Sequence, residues 1–170
     1  MAMTLVSTVT VGSGGAASIE WTGIAGTGKD LLVLLSGRGV EAATGTDYYL
    51  ELNGVTAANY NSRLLYGSGS SAASTTSTGY INGAIRAGWV PSSNATASTF
   101  GNDLIYISNY TSTTNKSIST DSVMENNATV SYQNLTAGSF TSSSAITSVK
   151  LYVAGVNFAQ HSTASLYIIS

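Results

Sequence analysis

The sequence of 170 residues contains no cysteine, one proline and one histidine, and charged residues make up only 8% of it. Without cysteine the chain forms neither a disulfide framework nor a thiolate metal site, and its composition does not reveal a redox compartment. The lone histidine, His161, has no second imidazole with which to share a metal ion. We therefore expect no metal and no cofactor. With about a third of the usual share of charge, the surface has to consist of hydroxyl and amide groups.

The charged residues do not form the basic patch that nucleic acid or an anionic membrane would bind. The formal net charge is −2 and the six basic residues are spread along the chain, whereas such partners require a basic patch. The start, MAMTLVSTVTVGSGG, lacks the basic and apolar regions of a signal peptide, and no apolar run is long enough for a transmembrane helix. We predict no nucleic acid and no membrane as partners, and folding in the cytoplasm where the chain is made.

What the sequence does contain is a series of short segments in which apolar and polar residues alternate. The single proline and eighteen glycines separate these segments, and the alternation is the period of a half-buried β-strand. No segment has the pattern of a helix. The predicted strands are Thr4–Val11, Ala17–Gly23, Asp30–Arg38, Asp47–Asn53, Ser62–Gly67, Gly83–Val90, Asn102–Tyr110, Thr114–Val123, Ala128–Leu135, Ile146–Gly155 and Ser165–Ser170.

Short strands without helical crossovers predict an all-β fold, an antiparallel β-sandwich of jelly-roll type. Residues 1–170 form one domain, in which residues 1–11 are either an N-terminal arm that adds a strand to a neighbour or an edge strand. LLVLLS (31–36) is apolar on both faces, which favours a central strand covered on each side. The predicted core comprises Leu32, Leu34, Leu50, Leu52, Ile105, Ile107, Leu151, Val153, Leu166 and Ile168.

Two segments have a biased composition. Tyr66–Tyr80, YGSGSSAASTTSTGY, is low in complexity. It is too short and too deeply embedded between strands for a domain linker, so we predict a long surface loop suited to contacts. The C-terminal SLYIIS (165–170) is largely apolar, and we expect it to pair inside a sheet, because an exposed apolar edge promotes aggregation.

GIAGTGKD (23–30) matches most of a phosphate-binding loop, with two glycines and Lys29 at the required spacing. In such a loop a Ser or Thr follows the lysine to bind magnesium, and a helix begins with its N-terminus facing the phosphates. Here Asp30 follows the lysine, where it would repel a nucleotide, and a predicted strand begins. We therefore interpret the segment as a glycine-rich hairpin turn.

The eight carboxylates offer no obvious catalytic pair, although acids brought together by the fold are left open by the sequence. Asp47 and Glu51 share a face of one predicted strand but lie about 13 Å apart, beyond the spacing that glycosidases use. Asp121 and Glu125 flank a predicted turn, as solvated charges. No G-x-S-x-G elbow accompanies the many serines. We assign no catalytic residue, predict that the protein is not an enzyme, and place His161 in a polar turn between the last two strands.

The aromatic residues have two interpretations. There are ten tyrosines and two tryptophans, Trp21 and Trp89. Aromatic side chains at alternating strand positions are more often part of a core, which is the interpretation we favour. The alternative is a platform on which sugar rings stack.

The C-terminal run ITSVKLYVAGVNFAQHSTASLYIIS resembles the closing motif of a family of small β-rich virion proteins of tailed bacteriophages, common among marine and cyanobacterial phages. In that family an ITSI-x-L strand is followed by a G-x-NF-x-x-GS turn and a last strand S-x-x-LYGI. His161-Ser162 stands where the family has Gly-Ser, and Ile169 and Ser170 follow the final strand. The matching positions are Ile146–Leu151, Gly155, Asn157, Phe158 and Ser165–Ile168.

Two earlier segments resemble the same family. LNGVTAANYNSRLLYGSGSSAAS (52–74) is similar to its NGD-x-xxNY-x-x-x-x-LYG-x-GSS segment, with Val55 in place of the usual Asp. FGNDLIYISNYTSTTNKSI (100–118) is similar to its strand followed by NY-x-x-x-x-x-K. Together the three segments cover about residues 45–170, in the order that the family has.

The resemblance implies a jelly-roll-like sandwich built into a virus particle as a capsid decoration, a collar or knob, or a tail-fibre module, and it supplies no catalytic residues. Strand signals run from Leu5 onward without a shaft, which favours a decoration or cement protein on the capsid surface of the virion. Its partners would be the major capsid protein, whose shell it stabilises, and copies of itself, with a homotrimer as the expected state. The alternative is a receptor- or carbohydrate-binding module of a tail fibre or collar that binds a host glycan.

Overall fold

The computed structural model describes residues 2–76, 83–127 and 131–170. These residues form no helix, and so none that could span a membrane. All eleven predicted strands are present with shifted ends; residues 128–130 of one of them lie outside the described residues. The strands are β1 (Met3–Thr10), β2 (Ser18–Thr22), β3 (Asp30–Ser36), β4 (Gly45–Leu52), β5 (Tyr60–Ser68), β6 (Ser71–Thr76), β7 (Ile85–Pro91), β8 (Asn102–Ile107), β9 (Lys116–Glu125), β10 (Ser131–Phe140), β11 (Ser148–Val153) and β12 (Thr163–Ile169).

The strands form two antiparallel sheets. The larger sheet has eight strands in the order β1-β12-β3-β8-β9-β10-β5-β6, and the smaller has four in the order β2-β11-β4-β7. Along the chain, β1 to β4 alternate between the two sheets, whereas β5-β6 and β9-β10 add neighbouring strands to one side of the larger sheet. The prediction of an all-β antiparallel sandwich is confirmed, including the C-terminal strand β12 between β1 and β3.

The two sheets bury a shared apolar core between them. Alternate residues of each central strand point inward, as the period of two requires. Eight of the ten predicted core residues belong to this core: Leu50, Leu52, Ile105, Ile107, Leu151, Val153, Leu166 and Ile168.

Of the other two predicted core positions, Leu32 is buried as predicted, although on the outer face of β3, whereas Leu34 is wrong because it is exposed on that face. The inward residues of this strand are Leu31, Val33 and Leu35, and Leu34 is 38% exposed. Leu32 is buried on the outer face, where its cross-strand neighbours are two tyrosines of β8 and β12. The expectation that β3 is covered on both sides is therefore also wrong.

The predicted surface loop Tyr66–Tyr80 begins as a hairpin. β5 continues to Ser68, Gly69 adopts a φ of 58°, and β6 pairs back on β5 from Ser71 to Thr76. Residues 77–80 lie outside the described residues. The prediction missed β6 because its sequence, SAASTT, contains no large apolar residue and all six positions are exposed. This strand forms one edge of the larger sheet.

The N-terminal segment forms the opposite edge of the larger sheet. β1 pairs with β12 of the same chain from Met3 to Thr10, with a bulge between Leu5 and Ser7. Apart from Val9, its side chains are exposed, so the backbone ladder is its main attachment. Of the two predicted alternatives, the structure has the edge strand.

Two cations, Arg38 and Lys116, hold long loops against the sandwich. Burial lowers the pKa of both groups, yet each keeps its charge satisfied by backbone carbonyl oxygens, as buried charges require. The Arg38 guanidinium donates at 2.8–3.1 Å to the carbonyl oxygens of Ser92, Ala95, Thr96 and Thr99. The Lys116 ammonium donates at 2.7–3.0 Å to those of Ser112, Thr114, Ser142 and Ser144.

Candidate functional site

Charged side chains are concentrated on the outer face of the four-stranded sheet. Six of the chain's fourteen charged residues, six basic and eight acidic in all, lie on this face or at its rim. Five of them lie on neighbouring strands β2, β11, β4 and β7, and the sixth is in the loop before β4. We call the following residues the charged face: Glu20, Glu41, Asp47, Glu51, Arg86 and Lys150, with the aromatic residues Tyr49, Trp89 and Tyr152.

Two ion pairs organise the charged face. The Arg86 Nε and Nη2 atoms lie 2.8 and 2.6 Å from Asp47 Oδ1, and Lys150 Nζ lies 3.5 Å from Glu51 Oε2. Asp47 and Glu51 share a face of β4, as predicted, but each is paired with its own cation. They therefore do not form the carboxylate pair that acid–base hydrolysis requires.

A β-bulge in β7 shapes one side of this face. The register between β4 and β7 shifts between Tyr48 and Tyr49, so that β7 has one residue more than β4 at this point. Some backbone groups of β7 therefore lack hydrogen bonds to the neighbouring strand. A hydroxyl from the other sheet compensates, because Thr120 Oγ1 of β9 donates to the Ala87 carbonyl oxygen at 2.6 Å.

The same bulge fixes the backbone of Trp89. The Ser122 hydroxyl of β9 accepts a hydrogen bond from the Trp89 N–H at 3.0 Å and donates to the Trp89 carbonyl oxygen at 3.2 Å. A Cβ at Gly88 would lie 2.3 Å from Ser122 Oγ, so only glycine allows this approach. Because of the extra residue, Trp89 points outward, although Ile85 of the same strand points into the core.

The indole ring of Trp89 is held on several sides. Tyr132 of β10 meets it edge-on at 5.7 Å between centroids, Tyr66 of β5 lies tilted at 6.4 Å, and the Arg86 guanidinium carbon is 5.5 Å from its centroid. Trp89 stays partly exposed. Trp21, in contrast, is buried in the core. The core interpretation is therefore right for Trp21, whereas Trp89 is a surface residue.

A cleft of about 460 Å³ opens beside Trp89, and its lining includes Glu41, Gly45, Asp47 and Tyr49. A smaller depression of about 220 Å³ shares Gly45 and Trp89 and extends toward Tyr132. The indole ring therefore forms a ridge between two concave surfaces. The ridge and the cleft combine an aromatic ring with carboxylate groups.

The environment of the cleft acts on the Asp47 carboxyl group. Burial raises the pKa of Asp47, and the neighbouring Glu41 carboxylate adds to this rise, while Arg86 and the Trp89 indole oppose it. The carboxylate stays paired with Arg86. It is therefore a hydrogen-bond acceptor inside the cleft.

The outer face of the larger sheet contains a row of exposed leucines. Leu34, Leu104, Leu135 and Leu65 occupy one cross-strand row on β3, β8, β10 and β5, interrupted by Asp121 on β9. All four leucines are exposed, Leu65 to 57%. We call this row, with the exposed Val123 two residues from Asp121, the leucine face.

One carboxyl group, Asp103, is buried between the sheets. Burial raises its pKa well above the ordinary value, repulsion by Asp121 adds to the rise, and the nearby Ser122 and Tyr48 hydroxyls oppose it. Within the described residues no cation forms an ion pair with Asp103 and neither carboxyl oxygen has a well-formed hydrogen bond. Burial therefore favours the neutral form of this carboxyl group.

The remaining predicted residues are dispersed over the fold. His161 lies in the loop between β11 and β12, is exposed, and adopts a φ of 72°. Asp30 accepts hydrogen bonds from the Tyr106 hydroxyl and the Asn109 N–H. Asp121 and Glu125 do not flank a turn, because both lie on the exposed side of β9. No group of three or more potential metal ligands occurs within residues 2–76, 83–127 and 131–170.

The residues that carry the family resemblance lie at corners of the fold. The Asn53 amide donates to the Ala145 carbonyl oxygen at 2.8 Å and accepts from the Thr147 N–H at 2.8 Å. Tyr110 is fully buried, and its hydroxyl donates to the Ala25 carbonyl oxygen at 2.5 Å. With Lys116, these residues join loops to strands. The motifs therefore bear on the fold, and none of them contains Trp89 or Asp47.

No protein-family model matches the chain, and comparison with curated proteins and with solved structures gives no match either. The resemblance to phage virion proteins therefore stays a prediction that rests on the three segments described above.

Proposed function

We propose that this protein is a structural component of a phage particle, a capsid decoration or cement protein that binds the major capsid protein and stabilises the head. It acts by shape and adhesion, without chemistry. The observation that carries this proposal is the leucine face, which exposes four leucines on neighbouring strands of one sheet. Contiguous exposed apolar patches of this kind mark protein interaction sites.

The dimensions of the sheet that carries the leucine face support a protein partner. Its eight strands, about 4.8 Å apart and about six residues long, cover roughly 700 Å², and the leucine face spans five of them. A standard protein interface buries about 800 Å² on each partner. Asp121 and Arg63 are the charged residues close to the leucines in the cross-strand rows. Binding through this face should therefore depend little on salt.

The strand order supports the jelly-roll interpretation that accompanies the resemblance. Without β5-β6 and β9-β10, the two sheets have the orders β1-β12-β3-β8 and β2-β11-β4-β7. Two four-stranded sheets wound in this way agree with the eight-stranded double sheet of jelly rolls, an architecture common in viral capsids. The two added strand pairs widen the sheet that carries the leucine face.

An exposed edge supports association between copies, with a homotrimer as the proposed state. All six side chains of β6 are exposed. The strand contains neither a charged residue nor a proline, and these are the residues that usually protect a sheet edge from pairing with another chain. Light scattering on the purified protein is expected to give three times the 17.4 kDa chain mass. A monomer at micromolar concentration would contradict the trimer.

Binding to particles tests the proposed docking face. Particles of the phage that encodes the chain, assembled without it, are incubated with the purified protein, and bound copies are quantified after sedimentation. Wild type should bind in hundreds of copies and remain bound in 1 M salt, because apolar contacts are not screened. The Leu65→Ser/Leu135→Ser variant should bind at least about tenfold more weakly, which corresponds to 1.4 kcal/mol.

Val40→Ser is the matched control for this experiment, because Val40 is 46% exposed and lies in a loop away from the leucine face. It should bind like wild type. Failure of wild type to bind the particles, or equal binding of the double variant, would contradict the proposal.

A further inference from the structure

The cleft beside Trp89 brings together groups that recognise sugars. In a chain with few charges, one opening contains a partly exposed indole ring, the carboxylates of Glu41 and Asp47, and the phenol ring of Tyr49. A pyranose has an apolar C–H face that packs on an aromatic ring, and hydroxyl groups that donate to carboxylates. We infer that this cleft binds carbohydrate, and that its ligand is a neutral hexopyranose unit of a surface polysaccharide.

The aromatic ridge is rigid before any ligand arrives. The backbone of Trp89 is bound by the Ser122 hydroxyl at both its N–H and its carbonyl group. Its ring is held between Tyr66, Tyr132 and Arg86. Binding is weakened when side chains lose conformational entropy on contact with the ligand. Here the Trp89 ring is already ordered in the folded protein, so little further entropy is lost.

The carboxylates of the cleft have acceptor capacity to spare. Both contacts of Arg86 are made to Asp47 Oδ1, and the Trp89 indole is a further partner of this carboxyl group. Since a carboxylate has about four acceptor positions, it can still accept from a hydroxyl group of a ligand. Glu41 lies at the exposed rim of the same cleft. Two carboxylates that line one cleft provide the few polar acceptors that fix the orientation of a sugar.

The charge of the surrounding face selects against anionic sugars. The charged face contains four acidic and two basic residues, and both cations already contact its carboxylates. An acidic sugar would meet uncompensated negative charge, which lowers its affinity. A cationic ligand is also disfavoured at the ring, because the Arg86 guanidinium carbon, 5.5 Å from the Trp89 centroid, would repel it. A neutral sugar remains.

The site and the leucine face lie on opposite outer surfaces of the sandwich, because each is the outward side of a different sheet. A particle-bound copy docked through the leucine face would therefore present the cleft to the surroundings. The inference does not depend on that docking, since the isolated protein contains the whole site.

The test begins with purified protein on an array of neutral and acidic glycans. Neutral hexose-containing glycans should bind, and acidic ones should bind more weakly. Affinity electrophoresis in the neutral polysaccharide that binds best then compares variants. Trp89→Ala should weaken binding at least about tenfold, since loss of the stacking contact between the sugar and the indole ring raises the dissociation constant by about that factor. Glu41→Gln should weaken it about threefold or more.

Glu125→Gln is the matched control, because it removes the same charge from an exposed position on β9, in the other sheet. It should retain wild-type affinity. Far-ultraviolet circular dichroism checks that each variant is folded, and the exposed position of Glu41 keeps the test valid if Trp89→Ala is destabilised. The absence of glycan binding, a preference for acidic glycans, or wild-type affinity in Trp89→Ala or Glu41→Gln would overturn the inference.

Discussion

The Ser122 side chain in one sheet bonds to both backbone groups of Trp89 in the other, at 3.0 and 3.2 Å. Together with the hydrogen bond from Thr120 to Ala87, this contact connects the two sheets near the cleft. It replaces ladder bonds that the bulge in β7 removes, and it places the indole ring on the surface.

Removing the Ser122 hydroxyl should therefore affect both stability and the tryptophan. Ser122→Ala leaves a buried N–H and a buried carbonyl group of Trp89 without their partner, which costs about 1–3 kcal/mol. Urea unfolding measures the loss, and acrylamide quenching of tryptophan fluorescence should increase as the ring loosens. Ser119→Ala, on the exposed side of the same strand, should change neither; an unaltered midpoint in Ser122→Ala would contradict the assignment.

Lys116 should contribute more to stability than any exposed lysine. Lys116→Met preserves much of the side-chain volume but deprives four carbonyl oxygens of their donor, with an expected loss of about 2–4 kcal/mol. Lys29→Met, at an exposed position, should stay within about 0.5 kcal/mol of wild type. Thermal and urea unfolding compare the two. Similar midpoints for both variants would show that the loops do not depend on Lys116.

The buried Asp103 should make stability depend on pH in a defined direction. Its pKa is raised above the ordinary 3.8 by burial, so the folded state holds the proton more tightly than the unfolded state. The contribution of Asp103 to the free energy of unfolding should be fully present below pH 3.8. It should then be lost as the pH rises toward the pKa of the folded state. The slope is about 1.4 kcal/mol per pH unit between the two pKa values.

Asp103→Asn should remove this contribution, because the amide is of similar size and does not ionise. Urea midpoints at several pH values from 4 to 9 measure both proteins. The variant should have a flatter profile than wild type above pH 4, and parallel profiles would contradict a buried neutral acid.

His161 occupies a position that suits glycine. Its φ of 72° lies in the left-handed region, where a Cβ is strained. His161→Gly should raise the free energy of unfolding by about 0.5–1 kcal/mol, while His161→Ala should stay within about 1 kcal/mol of wild type. Differential scanning calorimetry can rank the three proteins. A clear loss of stability in His161→Gly would mean that the imidazole itself makes an important contact.

Alternation of apolar and polar residues predicted the strands because it reports directly on a half-buried sheet. It failed where that signal is absent. β6 has only small residues, and β3 is apolar at consecutive positions, so its inward face was ambiguous and Leu34 was placed in the core.

The site was not predictable for a related reason. Simple alternation along β7 puts Trp89 on the same side as Ile85, but the bulge after Arg86 reverses the direction for the residues that follow. Gly88 is the only sequence signal, since glycine inside a strand often marks a bulge. Asp47 and Arg86 are far apart in the sequence, and only the register of β4 with β7 brings them together.

The proposed docking of this protein on a phage capsid is tested most directly by an electron cryomicroscopy reconstruction of the whole virion. We predict density for the β-sandwich at repeated positions on the capsid lattice, in hundreds of copies, with the leucine face against the major capsid protein. Density for only a few copies at the tail or the portal vertex, or absence of the protein from the particle, would contradict it.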